Sequence, residues 1–220
     1  MICDSIQAFD TSRNPSGEGD ARYKPDVTFY TAGTNISENL LASFQKMEMF
    51  VEFKSSDTSD PFYSEDQLPF EKLFKKTCAT RRQIVLYSTR MQAYQFRTCA
   101  FSVGIFGNVA RLFRWDRAGA IVSEPVPYSS SVNRDLSEFL CRFDLIGRAR
   151  RGWDPTVFDA TPEEAANFDE AIKAVVGEGK NLLLKSLLAS VGVSKYYSRE
   201  RVELDDGHGQ HKRCRTSLGV

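Results

Sequence analysis

The sequence predicts an α/β domain in which a mixed β-sheet is flanked by helices. Three observations predict it. Two runs rich in β-branched and aromatic residues, PDVTFY at 25–30 and MFVEFK at 49–54, read as strands. Residues 80–96 place Ile84, Tyr87, Met91 and Tyr94 at helical spacing, with polar residues between them. Two further apolar runs at 100–106 and 109–115 are followed by helical patterns. The order strand, strand, helix, strand, strand, helices suits a mixed sheet.

The elements follow in chain order. Residues 1–24 are polar and turn-rich, with Asn14, Pro15, Gly17 and Gly19 close together, and are expected to form a flexible segment. A strand is expected over 26–30. Residues 37–47 suit a short helix or a structured connection, and 49–54 a second strand. Residues 55–69, rich in Ser, Asp and Pro, read as a loop. The strands over 100–106 and 109–115 meet at Gly107-Asn108, which is acceptable hairpin chemistry. Asp116 to Gly119 form a turn before a short strand at 120–123. A helix over 134–147 gathers Leu136, Phe139, Leu140 and Phe143 on one side. Thr161-Pro162-Glu163-Glu164 starts another, with a capping Thr, Pro in the first turn and Glu at the third position. Residues 182–189 suit a further helix, and the polar chain after Tyr197 is expected to be a disordered tail. The expected organisation is a flexible segment (1–24), an α/β core (25–125), a helical extension (126–197) and a tail (198–220).

Bulk properties narrow the function classes. With 41% hydrophobic and 26% charged residues, the chain belongs with folded proteins rather than disordered ones. Lys plus Arg equals Asp plus Glu at 29 each, so global charge points to neither a nucleic acid nor a membrane surface, while a local basic face stays open. The five cysteines are scattered, which favours reduced thiols. Residues 1–10 lack a secretory pattern and no apolar run has the length of a membrane span. The expected compartment is cytoplasmic or nuclear, without a membrane partner.

The residues that can carry chemistry sit on the first two predicted strands. Strand side chains alternate, so Asp26 shares a face with Thr28 and Tyr30, and Glu52 with Phe50 and Lys54. If the strands pair, Asp26, Glu52 and Lys54 converge at one end of the sheet. Carboxylates are hard oxygen ligands suited to Mg²⁺. A lysine beside them can orient water or stabilise charge on a phosphate. The competing reading is an ordinary ion pair between Glu52 and Lys54 on a half-exposed strand.

Pro25-Asp26 followed by Glu52-Phe53-Lys54 resembles the core motif of the PD-(D/E)XK nuclease superfamily, and the helix and strands that follow fit that family's order. The resemblance implies a restriction-endonuclease-like core, Asp26 and Glu52 as metal ligands, Lys54 as the catalytic lysine and Mg²⁺ as cofactor. Members often carry a further acid on an N-terminal helix; here that segment reads as short and loop-like, and Asp10 and Glu18 suit the role poorly.

A longer stretch carries a second resemblance. VEFKSS (51–56), YQFRTCAFSVGIFGNVARLFRWDRAGAIVSEP (94–125), LSEFLCRFDLI (136–146) and RGWDPTV (151–157) together resemble the region ahead of the kinase lobe in fungal-type protein kinase-like proteins of mushrooms and their relatives. Crinkler-type effectors are similar in joining a nuclease-like domain to a kinase. Arg111, Trp115, Asp116, Arg117 and Gly119 match that family's R-L-x-x-W-D-R-x-G stretch. This marks Arg111, Asp116 and Arg117 as candidate binding residues. The alternative is a hairpin and an Asp-initiated turn with Arg117 pairing locally. Gly152-Trp153-Asp154-Pro155 likewise reads as a turn anchored by a buried Trp. Arg81 and Arg82, with Arg90 and Arg97, flank the candidate site and suit phosphate contacts or a wet helix face.

No Gly-rich loop, His-Arg-Asp catalytic loop or Asp-Phe-Gly triplet is present, so this chain is not expected to act as a kinase. The resemblance implies a kinase lobe elsewhere in a longer chain as the usual partner of this region, with residues 196–206 as a linker strand leading to it. Three functions therefore stand open: an accessory module that regulates or binds substrate or nucleic acid, an active Mg²⁺-dependent nuclease, and a protein-interaction domain.

Overall fold

The structure is a computed structural model. It describes residues 5–13, 23–36, 42–64, 68–129, 133–176, 197–203 and 211–217. The chain divides after Trp153 into two compact units, rather than at the boundary near 125 expected from the sequence.

The first unit is built on a six-stranded mixed sheet in the order β1-β2-β3-β4-β5-β6. The strands are β1 (Ile6–Asp10), β2 (Val27–Thr31), β3 (Met49–Lys54), β4 (Ala100–Phe106), β5 (Val109–Trp115) and β6 (Ala120–Val122). All neighbours are antiparallel except β3 and β4, which run parallel. A parallel pair needs a crossover, and α1 (Lys75–Tyr94) supplies it. The α/β class and mixed sheet are thus as the sequence predicts.

Alternation along β3 divides the core in two. Phe50 packs with Tyr30, Ile84, Tyr87, Met91, Phe106 and Phe113 on the α1 side. Met49 and Val51 pack with Val103, Ile105 and Phe143 on the other side. That second face is covered by α2 (Asp135–Leu145), through Leu136, Phe139, Leu140 and Phe143. The helix expected within an extension is therefore a layer of the sheet domain. An apolar sheet face must be buried, and α2 brings the matching apolar stripe.

Other differences are local. The N-terminal segment contributes β1, which pairs with β2 from Ile6↔Thr31 to Asp10↔Val27. Its sequence, IQAFD, has little β-pattern, so the neighbouring strand supplies what propensity does not. α1 begins at Lys75, five residues before the expected start at Thr80, because its first turn carries Lys and Thr instead of apolar residues. The expected loop at 55–69 contains a short 3-10 turn, Asp57–Ser59, capped by the Ser56 hydroxyl. Residues 42–48 form turns without a helix, and 37–41 lie outside the described residues.

The second unit contains β7 (Val157–Asp159), α3 (Pro162–Val176), β8 (Tyr197–Glu203) and β9 (His211–Ser217). The predicted capping box is present: Glu164 N donates to Thr161 Oγ1 at 3.2 Å, and Thr161 N to Glu164 Oε2 at 2.8 Å. β7, β8 and β9 form an antiparallel sheet: β8 lies where a linker strand was expected (196–206), and β9 lies in the tail expected to be disordered. Strand pairing is satisfied by backbone groups, and a polar sequence does not prevent it. The helix expected at 182–189 lies outside the described residues. Among the described residues, no helix is long and apolar enough to cross a membrane.

Candidate functional site

β2 and β3 pair with Val27 opposite Val51. One step further along the same register, Asp26 faces Glu52. The side chain of Asp26 closes this end of the pair: its Oδ2 accepts the Phe53 amide at 2.7 Å. Glu52 points to the α1 side of the sheet and is 1% exposed. Lys54, two residues on, shares that face, and its Nζ reaches Glu52 Oε1 at 2.6 Å. The structure therefore brings Asp26, Glu52 and Lys54 together.

Two further residues complete the cluster, and sequence reasoning missed their role. Lys54 Nζ also donates to Gln83 Oε1 at 2.9 Å. Gln83 Nε2 donates to the Tyr87 hydroxyl at 3.0 Å, which donates to the Lys24 carbonyl at 3.1 Å. The polarity of this chain is forced. The Lys24 carbonyl can only accept, so Tyr87 gives its proton there and accepts from the Gln83 amide. The Gln83 oxygen then faces Lys54, which has only donors. Gln83 and Tyr87 are one helical turn apart on α1 and so share a face. That i, i+4 spacing of Gln and Tyr opposite Glu-x-Lys was the signal available in the sequence.

The electrostatics are unusual. Glu52 Oε2 is buried with no hydrogen-bond partner. Burial pushes the Glu52 carboxyl up to about 7; Lys54 and Gln83 pull against this shift, and the nearby Asp26 carboxylate adds to it. Burial likewise raises the Tyr87 phenol, which keeps its proton in place for Lys24. Two of the three Lys54 protons are taken by Glu52 and Gln83, leaving one for a ligand or water.

The site suits a hard divalent cation. Asp26 Oδ1 and Glu52 Oε2 remain as carboxylate donors among the described residues. Mg²⁺ typically takes one or two protein carboxylates and keeps several waters, so this donor set fits it better than a fully protein-built cage would. Among the described residues, no group of three or more His, Cys, Asp or Glu that could hold a metal is gathered, here or elsewhere, so the centre offers two carboxylates only. Asp10, the N-terminal acid, binds the Ser12 amide and hydroxyl on the exposed end of β1. It is not drawn into the cluster.

The remaining candidates fall outside the centre. Arg111 is 1% exposed, and its guanidinium is consumed by Asp60 at 3.0 Å and by the carbonyls of Phe62, Tyr63 and Ser123. It ties the loop after β3 to β5 and has no face for a ligand. Asp116 caps its own turn through the amides of Ala118 and Gly119. Its local ion-pair partner is Arg114, at 3.5 Å, rather than the exposed Arg117. Arg81 pairs with Glu71 at 3.0 Å, and Arg82 is exposed. Trp153 is only half-buried; it is sandwiched by the guanidinium groups of Arg97 and Arg148, each 4.2 Å from its ring.

The Glu52 environment predicts a measurable pH dependence. A carboxyl raised from 4.5 to about 7 holds its proton in the folded state while the unfolded chain releases it. The stability linked to that proton is present below about pH 4.5 and lost as pH rises through 7. Glu52→Gln has no such proton to lose. In urea unfolding with chelator, the variant is expected to gain on wild type by about 2 to 3 kcal/mol between pH 5 and pH 8. Parallel pH profiles for the two proteins would show that Glu52 ionises as an ordinary carboxyl.

Comparison with models of protein families, with curated proteins and with solved structures finds no match.

Proposed function

We propose that the sheet-bearing unit is a nuclease-like module whose Asp26–Glu52–Lys54 centre binds a divalent cation together with the phosphodiester backbone of a nucleic acid. The observation that carries this is the orphaned, buried Oε2 of Glu52 beside a second carboxylate. Two acids and one lysine on adjoining strand ends, with one acid unsatisfied, are costly as a purely structural device. A divalent cation relieves that cost. Asp26 and Glu52 would hold it, and when bound it supplies positive charge for a phosphate oxygen and acidifies a water. Lys54 contributes its remaining proton to the same phosphate or water, and Gln83 and Tyr87 keep its ammonium from swinging away.

The resemblance of residues 94–157 to fungal-type protein kinase-like proteins supports a wider role as the accessory region of a kinase-like chain. The cluster stands independently of that wider reading.

Manganese titration of the folded protein, followed by cleavage assays on single- and double-stranded DNA and RNA with Mg²⁺ or Mn²⁺, tests the proposal. Wild type is expected to bind Mn²⁺ and Glu52→Gln to lose that binding. If the centre turns over, Lys54→Ala reduces cleavage by about 100-fold or more. Metal and nucleic-acid binding without cleavage leaves a binding module. A folded wild type that takes up no Mn²⁺ overturns the metal centre.

A further inference from the structure

Four arginines flank the candidate centre in sequence, and the structure separates them. Arg97 is buried against Glu48 at 3.1 Å. Arg81 is paired with Glu71, and Arg82 lies on the exposed side of α1. Arg90 differs from all three. Its Nε is buried without a hydrogen-bond partner, and among the described residues no carboxylate pairs with it. Its guanidinium lies 3.9 Å from the centre of the Tyr23 ring.

The position matters because α1 runs beside the chain that enters β2. Gln83 meets Lys54, Tyr87 meets the Lys24 carbonyl, and Arg90 meets Tyr23. These three helix residues are spaced i, i+4, i+7 and form a single stripe. Along the axis, Arg90 lies about 10 Å beyond Gln83 at about 1.5 Å per residue. That separation exceeds the spacing of successive phosphates on one strand, so Arg90 would meet a different phosphate from the one at the centre. A guanidinium held over an aromatic ring is already ordered, so it loses little entropy when its terminal nitrogens meet an anion.

We infer that Arg90, held on the Tyr23 ring, is a phosphate-binding subsite that grips the nucleic-acid backbone a few nucleotides from the phosphate at the Asp26–Glu52–Lys54 centre. The inference rests on the nucleic-acid reading of that centre and adds the direction in which the strand leaves it, along α1 toward its C-terminal half. Arg90 is a binding residue here and takes no part in bond cleavage.

The test is fluorescence anisotropy of short labelled single strands of DNA and RNA, with Ca²⁺ replacing Mg²⁺, over a series of salt concentrations. Arg90→Gln is expected to weaken binding about tenfold. It should also reduce the slope of log affinity against log salt by about 0.7, the contribution of one phosphate contact on a single strand. Arg90→Lys retains the slope. Mn²⁺ uptake stays at the wild-type level in both variants. Tyr23→Leu leaves the charge but removes the platform, so affinity falls with the slope unchanged; this variant decides the matter if Arg90→Gln does not fold. Wild-type affinity and slope in a folded Arg90→Gln protein would overturn the subsite while leaving the centre standing. A wild type that binds Mn²⁺ but neither strand would overturn the subsite and the nucleic-acid reading together. A wild type that binds the strands but not Mn²⁺ would overturn only the metal centre.

Discussion

Gly152→Ala is expected to cost about 4 kcal/mol or more, a large part of the stability of a domain of this size. Gly152 adopts φ +99°, a conformation that side-chain-bearing residues rarely enter. Its surroundings leave no remedy. A Cβ placed there would lie 1.9 Å from the Cys99 carbonyl oxygen and 2.7 Å from the Cys99 carbonyl carbon. These are backbone atoms, so no rotamer change can make room. Nor can the two segments easily part, because Thr98 N donates to the Gly152 carbonyl at 2.8 Å and Arg97 bridges to Trp153. Gly119 is the control: its φ is +150°, but a Cβ there meets nothing within 4 Å. Gly119→Ala should cost about 1 kcal/mol, for backbone strain alone. Urea unfolding of both variants separates strain from collision. Equal losses would show that the approach to Cys99 is not what requires glycine.

Arg97→Met should cost about 3 to 5 kcal/mol. Arg97 is among the most buried charges in the described residues, and burial pulls its guanidinium down to about 10, against the opposing pull of Glu48. It remains charged at neutral pH, and each of its three nitrogens is hydrogen-bonded. Nε binds Gln95, one terminal nitrogen binds the Arg151 carbonyl at 2.8 Å, and the other binds Met47 O and Glu48 at 3.1 Å. Glu48 in turn accepts from Trp153 Nε1 at 2.8 Å and Thr31 Oγ1 at 3.0 Å. Removing the arginine leaves a carboxylate in the interior with two neutral donors. That residual charge is the main cost, so Arg97→Met combined with Glu48→Gln should recover about 1 to 3 kcal/mol of the loss. A single variant within about 1 kcal/mol of wild type would mean that water reaches Glu48 and solvates it.

These two predictions share a location. Glu48 immediately precedes β3, Arg97 lies just ahead of β4, and Gly152-Trp153 close over both. The parallel pair β3–β4 carries Glu52 and Lys54 on the strand so anchored. The buried ion pair thus holds one end of β3, while the Asp26 contact with the Phe53 amide holds the other. A site that depends on two carboxylates and one ammonium in register needs both ends of its strand fixed.

Much of this was legible in the sequence. β4 and β5 span the runs expected of them, because two seven-residue runs rich in apolar residues meet at a two-residue Gly107-Asn108 turn that fixes their register. Asp26, Glu52 and Lys54 could be gathered on paper because strand alternation and one pairing suffice to bring them together. The α2 stripe and the Thr161 cap were equally local. Gln83 was missed as a site residue although its i, i+4 spacing with Tyr87 was there to read: on a helix, a polar residue between apolar ones looks like the wet face. Arg111, Arg97 and Arg90 were indistinguishable as letters, yet one is a tie between loop and strand, one a buried partner of Glu48, and one a cation on a tyrosine ring.

The sequence by itself determined the order of the elements from β2 to α2, their periods and the identity of the two acids and the lysine. These depend on side chains two to four residues apart, and the geometry of a strand or helix makes such relations local. Only the tertiary structure decided which charges are buried, which are paired and which carboxylate oxygen has no partner. Burial is created by segments remote in the chain, such as 48, 97 and 153, or 24, 54 and 87. Desolvation acts on a charge according to what surrounds it, and that surrounding exists only once the sheet and α1 have closed over it.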